Sequence, residues 1–189
     1  MALPRFLSLD EAGALRMMPL KALESLRRDA AAVQAGDRNL AKALGAIRIR
    51  GLSGELKAQF RAQRAFRLRL RSEKGDRFVE IAYDPQQKES ELKANGVAGA
   101  LDTKEPVTLR VFVDGSVIEV FANDRVAITA RVYTVPSGPL QVDLLDENGA
   151  SSVEIWGMQT ISSDRLTGAG DREKKLSRGE KGAKRAKSL

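Results

Sequence analysis

From Gly45 onward the chain alternates apolar and polar residues with a period of two. "AIRIR" sets Ile47 and Ile49 against Arg48 and Arg50, "ELKAQF" sets Leu56, Ala58 and Phe60 against Lys57 and Gln59, and "AFRLRLR" sets Phe66, Leu68 and Leu70 against three arginines. Strict alternation marks half-buried antiparallel strands, because successive side chains leave opposite faces of the pleat. "FVEIAYD" continues the series after the turn "EKGDR" and is stopped by Asp84-Pro85. The polar stretch "PQQKESELKANGVAG" reads as a loop with one short strand around Leu92. The densest strands come next: Val107–Val113, Ser116–Phe121, Val126–Tyr133, Leu140–Leu145 and Ser152–Trp156. Asp-Gly, Asn-Asp, Pro-Ser-Gly-Pro and Glu-Asn-Gly turn signals separate them. Eight or more short strands at this spacing, with no internal repeat, predict a sandwich or barrel.

Ahead of the alternating region the period differs. From Pro19 to about Val33, Leu20, Leu23, Leu26, Ala30 and Val33 recur every three or four residues, which predicts a short amphipathic helix. "AGDRN" at Ala35 to Asn39 reads as a loop.

Composition narrows the chemistry. The 189 residues suit one domain, and apolar (42%) and charged (30%) contents are ordinary for a globular protein. There is no cysteine and no histidine. That removes disulfides, thiolate metal sites, cysteine nucleophiles, the commonest general base and any Ser–His–Asp triad. No metal and no other cofactor is expected. Six of the seven net positive charges belong to the tail, since Arg165 to Leu189 holds nine Lys/Arg and three Asp/Glu, and the rest of the chain is nearly neutral. Poor in apolar residues, the tail is predicted to be disordered. It has no aromatic to stack on a base, so a nucleic-acid role is not favoured. No run of eighteen apolar residues occurs, and no membrane partner is expected. The start "MALPRFLSLDEAG" lacks a signal peptide's apolar core, and localisation and oligomeric state stay open.

"VFVDGSVIEVFAN", Val111 to Asn123, places Asp114 and Glu119 in an apolar run. Paired carboxylates are what a glycosidase uses. Asp-Gly between alternating runs is also the strongest short hairpin signal, a type I′ turn with Asp114 and Gly115 at its centre. Val113 would then face Ser116, and Arg110 would face Glu119. One face would collect Leu109, Val111, Val113, Ile118 and Val120. The other would hold an Arg110–Glu119 pair, worth on the order of 0.2–1 kcal/mol, framed by Phe112, Val117 and Phe121. In that register Asp114 and Glu119 lie about 13 Å apart, beyond the roughly 5–9.5 Å that glycosidase carboxyl pairs need. No catalytic residue is assigned.

"LRVFVDGSVIEVFANDRVAITARVY", Leu109 to Tyr133, resembles the signature of the C-terminal β-sandwich module of glycoside hydrolase family 32, the invertases, levanases and inulinases. Its Asp-x-Ser-x-x-Glu-x-Phe pattern is matched by Asp114, Ser116, Glu119 and Phe121. "LPRFLSL" (Leu3–Leu9) resembles the segment at the seam between that family's two domains, and "MMPLKALESLR" resembles the stretch after it. "GELKAQF" and "VEIWGM" resemble an early and the closing strand. The likeness runs from Leu3 to about Ile161. The fold it implies is all-β: an antiparallel two-sheet β-sandwich of concanavalin/lectin-like type, with a short helical or irregular N-terminal segment. The implied organisation is a seam remnant over 1–18, the sandwich over 19–163 and the basic tail over 164–189.

Enzymes of the family carry their chemistry in an N-terminal five-bladed β-propeller. Its Asn-Asp-Pro-Asn-Gly and Arg-Asp-Pro motifs are absent here: Asn123-Asp124 precedes Arg125, Arg28-Asp29 precedes Ala30, and no cysteine neighbours a glutamate. The resemblance implies a non-catalytic module of a β-fructosidase, inactive alone and separated from its propeller. Its expected partner is that propeller. The alternative is a stand-alone fructan-binding module, with carbohydrate as partner. Substrate-binding residues are unknown; Trp156, Tyr83 and Tyr133 are the aromatic candidates, Trp156 being read first as core.

Overall fold

The computed structural model describes residues 3–34, 44, 47–49, 52–87, 90–133, 138–145 and 150–160. The loop expected at 35–39, the turns at 136–139 and 147–149 in whole or part, and the tail lie outside the described residues.

Two six-stranded antiparallel sheets stack face to face, which confirms the sandwich. The first contains β3 (Arg27–Gln34), β5 (Ser53–Phe60), β10 (Val107–Asp114), β11 (Val117–Ala122), β12 (Val126–Arg131) and β14 (Ala150–Met158). Its order is β12-β11-β10-β5-β14-β3. The second contains β4 (Arg48–Ile49), β6 (Phe66–Ser72), β7 (Arg77–Tyr83), β8 (Glu91–Ala94), β9 (Val97–Ala100) and β13 (Leu140–Leu144), in the order β4-β13-β6-β7-β8-β9. A separate two-stranded sheet, β1 (Arg5–Leu9) with β2 (Leu15–Pro19), precedes them.

The core between the six-stranded sheets is what the alternation demands. Leu56, Ala58 and Phe60 of β5, Phe66, Leu68 and Leu70 of β6, and Leu109, Val111 and Val113 of β10 are all buried there. Phe60 and Phe66 stack at 3.8 Å between ring centres. Ile118 and Val120 of β11 join the same cluster.

Three sequence expectations change. The helix predicted from Pro19 to Val33 is a six-residue 3₁₀ helix, Lys21–Leu26, succeeded at once by β3. Leu20 supplies no side-chain cap, and β3 satisfies its backbone by pairing with β14 from Ser152↔Gln34 to Met158↔Arg27. A short helix without a cap is marginal, and an available strand partner outweighs it. Next, the segment around Leu92 is a hairpin of two strands, β8 and β9, turned by Asn95 (φ 48°) and Gly96 (φ 88°).

The third change concerns the Asp-Gly hairpin. Asp114 pairs with Val117, so the turn centres on Gly115 (φ 60°) and Ser116, with glycine first as a type II′ turn requires. Arg110 therefore opposes Phe121, and Glu119 opposes Phe112. The slip is even-numbered, so each side chain keeps its expected face while the predicted Arg110–Glu119 pair dissolves.

Candidate functional site

Register places one row of side chains across the outer face of the first sheet. Thr129 pairs with Glu119, Glu119 with Phe112, Phe112 with Glu55, and Glu55 with Trp156. An outer face would ordinarily be wet, yet Glu55 is 0% exposed and Glu119 1%. The cover comes from the N-terminal segment. Leu23 packs on Phe112 and Phe121 as a second apolar cluster, flanked by Leu3, Leu26, Ala127 and Met158. The two phenyl rings meet edge to face at 6.0 Å. The Phe112/Phe121 face is thus covered within the chain itself.

Buried carboxylates require cations and donors. Glu119 receives both from the segment that covers it: Arg5 Nη2 donates to Oε2 at 2.7 Å, and the backbone N–H of Leu3 donates to Oε1. Arg5 also donates to Thr129 Oγ1 at 2.8 Å. Glu55 is shared by two arginines. Arg27 donates from Nε (2.7 Å) and Nη2 (2.8 Å), and Arg110 donates from Nε at 2.9 Å with its Nη2 2.7 Å from the same carboxylate. Glu24 completes a four-charge cluster, 3.5 Å from Arg27 and 3.7 Å from Arg110. The Glu55 hydrogen bond, foremost, raises the Arg27 pKa above its ordinary value.

The two acids singled out in the sequence fare differently. With the observed turn, Asp114 and Glu119 are two ladder steps apart, roughly 8 Å between Cα atoms by strand geometry, so the 13 Å separation does not hold. Glu119 is nevertheless occupied, its oxygens bound to Leu3 and Arg5 under the N-terminal cover. Among the aromatics, Trp156 lies outside the core: half-buried on the outer face, with the Arg27 guanidinium 4.0 Å above its ring. The alternation of Val153 and Ile155 inward signals that placement. Tyr83 is buried and 3% exposed, whereas Tyr133 is 88% exposed.

The covering segment leaves an apolar surface of its own. In the β1–β2 hairpin, Leu7 faces Met17 and Leu9 faces Leu15. Leu7, Leu9 and Leu15 share one face and are 58%, 69% and 50% exposed, with Phe6 and Leu20 also exposed nearby. The hairpin tip is prebuilt. Asp10 Oδ1 accepts from the N–H groups of Ala12 (3.0 Å) and Ala14 (2.8 Å), and Asp10 Oδ2 binds Arg16 at 2.6 Å. The Ala14 N–H, foremost, holds the Asp10 carboxyl below its ordinary value.

Beside this hairpin lies a polar groove with a cavity volume of about 260 Å³, lined among others by Glu105, Thr108, Arg110 and Asp124. Burial pushes the Asp124 carboxyl above its ordinary value, against the opposing effect of Arg110 and Arg16. Asn123 fixes the groove's rim, accepting from Thr108 N–H at 2.7 Å and donating to Pro106 O at 3.1 Å. No group of three or more Asp, Glu, His or Cys that could hold a metal occurs among the described residues.

Residues 22–157 match the family model described as "Glycosyl hydrolases family 32 C terminal". Sucrose-6-phosphate hydrolase from Lactobacillus gasseri is similar with a TM-score of 0.61 and 23% identity, over 84% of this chain and 33% of that one. A glycoside hydrolase family 32 protein from Bifidobacterium adolescentis gives 0.57 and 19%, over 85% and 26%. Fructan 1-exohydrolase IIa from Cichorium intybus gives 0.54 and 16%, over 84% and 41%. The chain therefore spans about a third of the length of these solved relatives. No curated protein matches it.

Proposed function

We propose that this chain, which belongs to the glycosyl hydrolase family 32 C-terminal domain family, serves as the non-catalytic module of a β-fructosidase and docks against a catalytic β-propeller. The observation that carries this reading is the exposed apolar face of the β1–β2 hairpin. Clusters of exposed apolar side chains mark surfaces meant for another protein. Leu7, Leu9 and Leu15 form one on a hairpin that the Asp10 and Glu119 contacts hold rigid. The hairpin, Arg5 to Pro19, overlaps the seam segment of the proposed organisation, 1–18, and runs one residue past it. The two buried glutamates support the non-catalytic part of the reading, since each is neutralised by arginine rather than left free to exchange protons.

The test mixes the chain with a panel of separately expressed family 32 propellers. Complex formation with a raised propeller melting temperature is expected; failure to associate with any of them would count against docking. Release of fructose from sucrose by the chain alone would overturn the non-catalytic reading.

A second reading, fructan binding, is favoured by Tyr133, whose exposed ring lies 5.9 Å from the Arg131 guanidinium. Titration with inulin or levan tests it. Saturable heat that Tyr133→Ala removes is the expected signature, and no heat rejects it.

A further inference from the structure

The edge of β2 borders the polar groove. Met17 N–H donates to Asp124 O at 2.8 Å, and Arg16 Nη1 reaches Asn123 O at 3.4 Å. Leu7, Leu9 and Leu15 lie on the hairpin face opposite Arg16, so a partner that covers them and also wraps the β2 edge meets the groove.

The groove's charges do not balance internally. Arg110, the cation that lines it, is committed to Glu55 through both Nε and Nη2. Arg16, on the neighbouring strand, is committed to Asp10 through Nε at 3.0 Å and Nη2 at 2.6 Å. The next cations in sequence, Lys104 and Arg125, do not line the groove. Two carboxylates remain, Asp124 half-buried and Glu105 exposed. Among the described residues the Asp124 carboxylate accepts no hydrogen bond and forms no ion pair. A half-buried carboxylate left without a partner is costly, and a cation supplied from outside relieves the cost.

The chemistry of the free groups selects the occupant. The uncommitted charged groups are acceptors only, which suits a guanidinium or an ammonium group. A sugar would need several donors, yet the Asn123 amide is bound to Pro106 O and Arg110 Nε to Glu55, which leaves the Thr108 hydroxyl as the main donor in the lining. The aromatic in the wall, Phe121, is 2% exposed and offers no ring face.

We propose that the groove receives an arginine or lysine side chain of the docked propeller, with Asp124 as its principal counter-charge. The inference rests on the docking reading above: the hairpin supplies apolar contact, and Asp124 fixes the orientation in which the propeller seats.

Asp124→Asn tests it, because asparagine keeps the size of the side chain and tolerates the positive φ of 56° at this position. Thermal unfolding checks that the variant folds. Affinity for the propeller that binds the wild type is then measured at low and high salt. The variant is expected to bind at least about tenfold more weakly and to lose most of the salt dependence, as loss of one interfacial charge pair implies. Equal affinity of variant and wild type overturns the groove assignment while leaving docking intact. So does saturable binding of inulin or levan that Asp124→Asn removes, which would make the groove a sugar site. Absence of wild-type binding to every propeller overturns docking itself and this inference with it.

Discussion

Arg5 Nη2 lies 2.7 Å from Glu119 Oε2 across 114 residues of sequence, and this ion pair ties the N-terminal hairpin to the sandwich. Its two members are not equivalent. Glu119 is 1% exposed and Arg5 23%, so removal of the arginine strands a buried charge, while removal of the acid lets the arginine reach water. Arg5→Ala is therefore expected to cost about 3–5 kcal/mol and Glu119→Gln about 1.5–3 kcal/mol. The double variant should be no less stable than Arg5→Ala alone. Denaturant unfolding of the three variants measures this, and equal losses for the two single substitutions would contradict the asymmetry.

Phe112 and Phe121 make a second apolar layer outside the main core, closed by Leu23. Truncation of a buried phenylalanine costs about 3–5 kcal/mol, so Phe112→Ala should destabilise to that extent. The loss should also release the cover, seen as faster amide exchange over residues 20–26. Unchanged exchange there would show that Leu23 is held by something other than the ring.

Gly54 has no room for a side chain. A Cβ at this position would meet the Ile49 side chain and lie 2.9 Å from the Trp156 carbonyl oxygen. Gly54→Ala is expected to destabilise by about 1–3 kcal/mol, the usual cost of overpacking, with both the β5–β14 ladder and β4 disturbed. A melting temperature within error of the wild type would refute the close approach.

The period-two residues made most of the sandwich legible before any coordinates. Leu56, Leu68 and Val111 face inward because no other register buries them, and a slip of the hairpin by an even number of residues leaves that unchanged. Cross-strand partners were not legible, because Gly115 rather than Asp114 opens the turn and the partner of Arg110 moves from Glu119 to Phe121. Nor was the burial of Glu55. Alternation puts it outward, and only a separate segment folding over the sheet makes outward mean buried. The leucine spacing from Leu20 to Leu26 fits a helix and a 3₁₀ turn alike, and pairing with β14 makes a strand of Arg27–Gln34. β9 was not legible because "VAGA" carries no alternation. Among candidate site residues, Tyr133 is exposed at its strand end, whereas Trp156, read first as core, is half-buried on the outer face because Val153 and Ile155 take the inward positions. The groove was not legible, since its lining residues, 105 to 124, come together only across the β10–β11 pairing whose register the turn decides.

The exposed leucines allow function to be separated from folding. Leu7→Ser with Leu9→Ser replaces apolar surface that touches little within the chain, and surface substitutions of this kind fall within about 0.5 kcal/mol. The melting temperature of the free chain should hardly move, while association with a family 32 propeller is abolished. A large fall in stability would show that the hairpin face packs within this chain instead.

The groove acid should leave a signature in the free chain as well. Burial raises the folded-state pKa of Asp124 above its ordinary 3.8, so the native state holds its proton to higher pH than the unfolded state does. Below 3.8 both states are protonated and the site costs nothing. As pH rises through the folded-state value, the native carboxylate ionises at a penalty and stability is lost. Asp124→Asn removes that penalty, so the variant should match the wild type at low pH and melt higher at pH 7. Glu80 gives the opposite control. The Arg69 hydrogen bond, foremost, lowers its pKa below 4.5, so its contribution is present above 4.5 and fades as pH falls through the folded-state value. Glu80→Gln should accordingly lose stability at pH 7 and converge with the wild type in acid. Together the two pH series separate an acid kept for a partner from one satisfied within the fold, and an Asp124→Asn variant less stable than the wild type at pH 7 would place Asp124 in the second class.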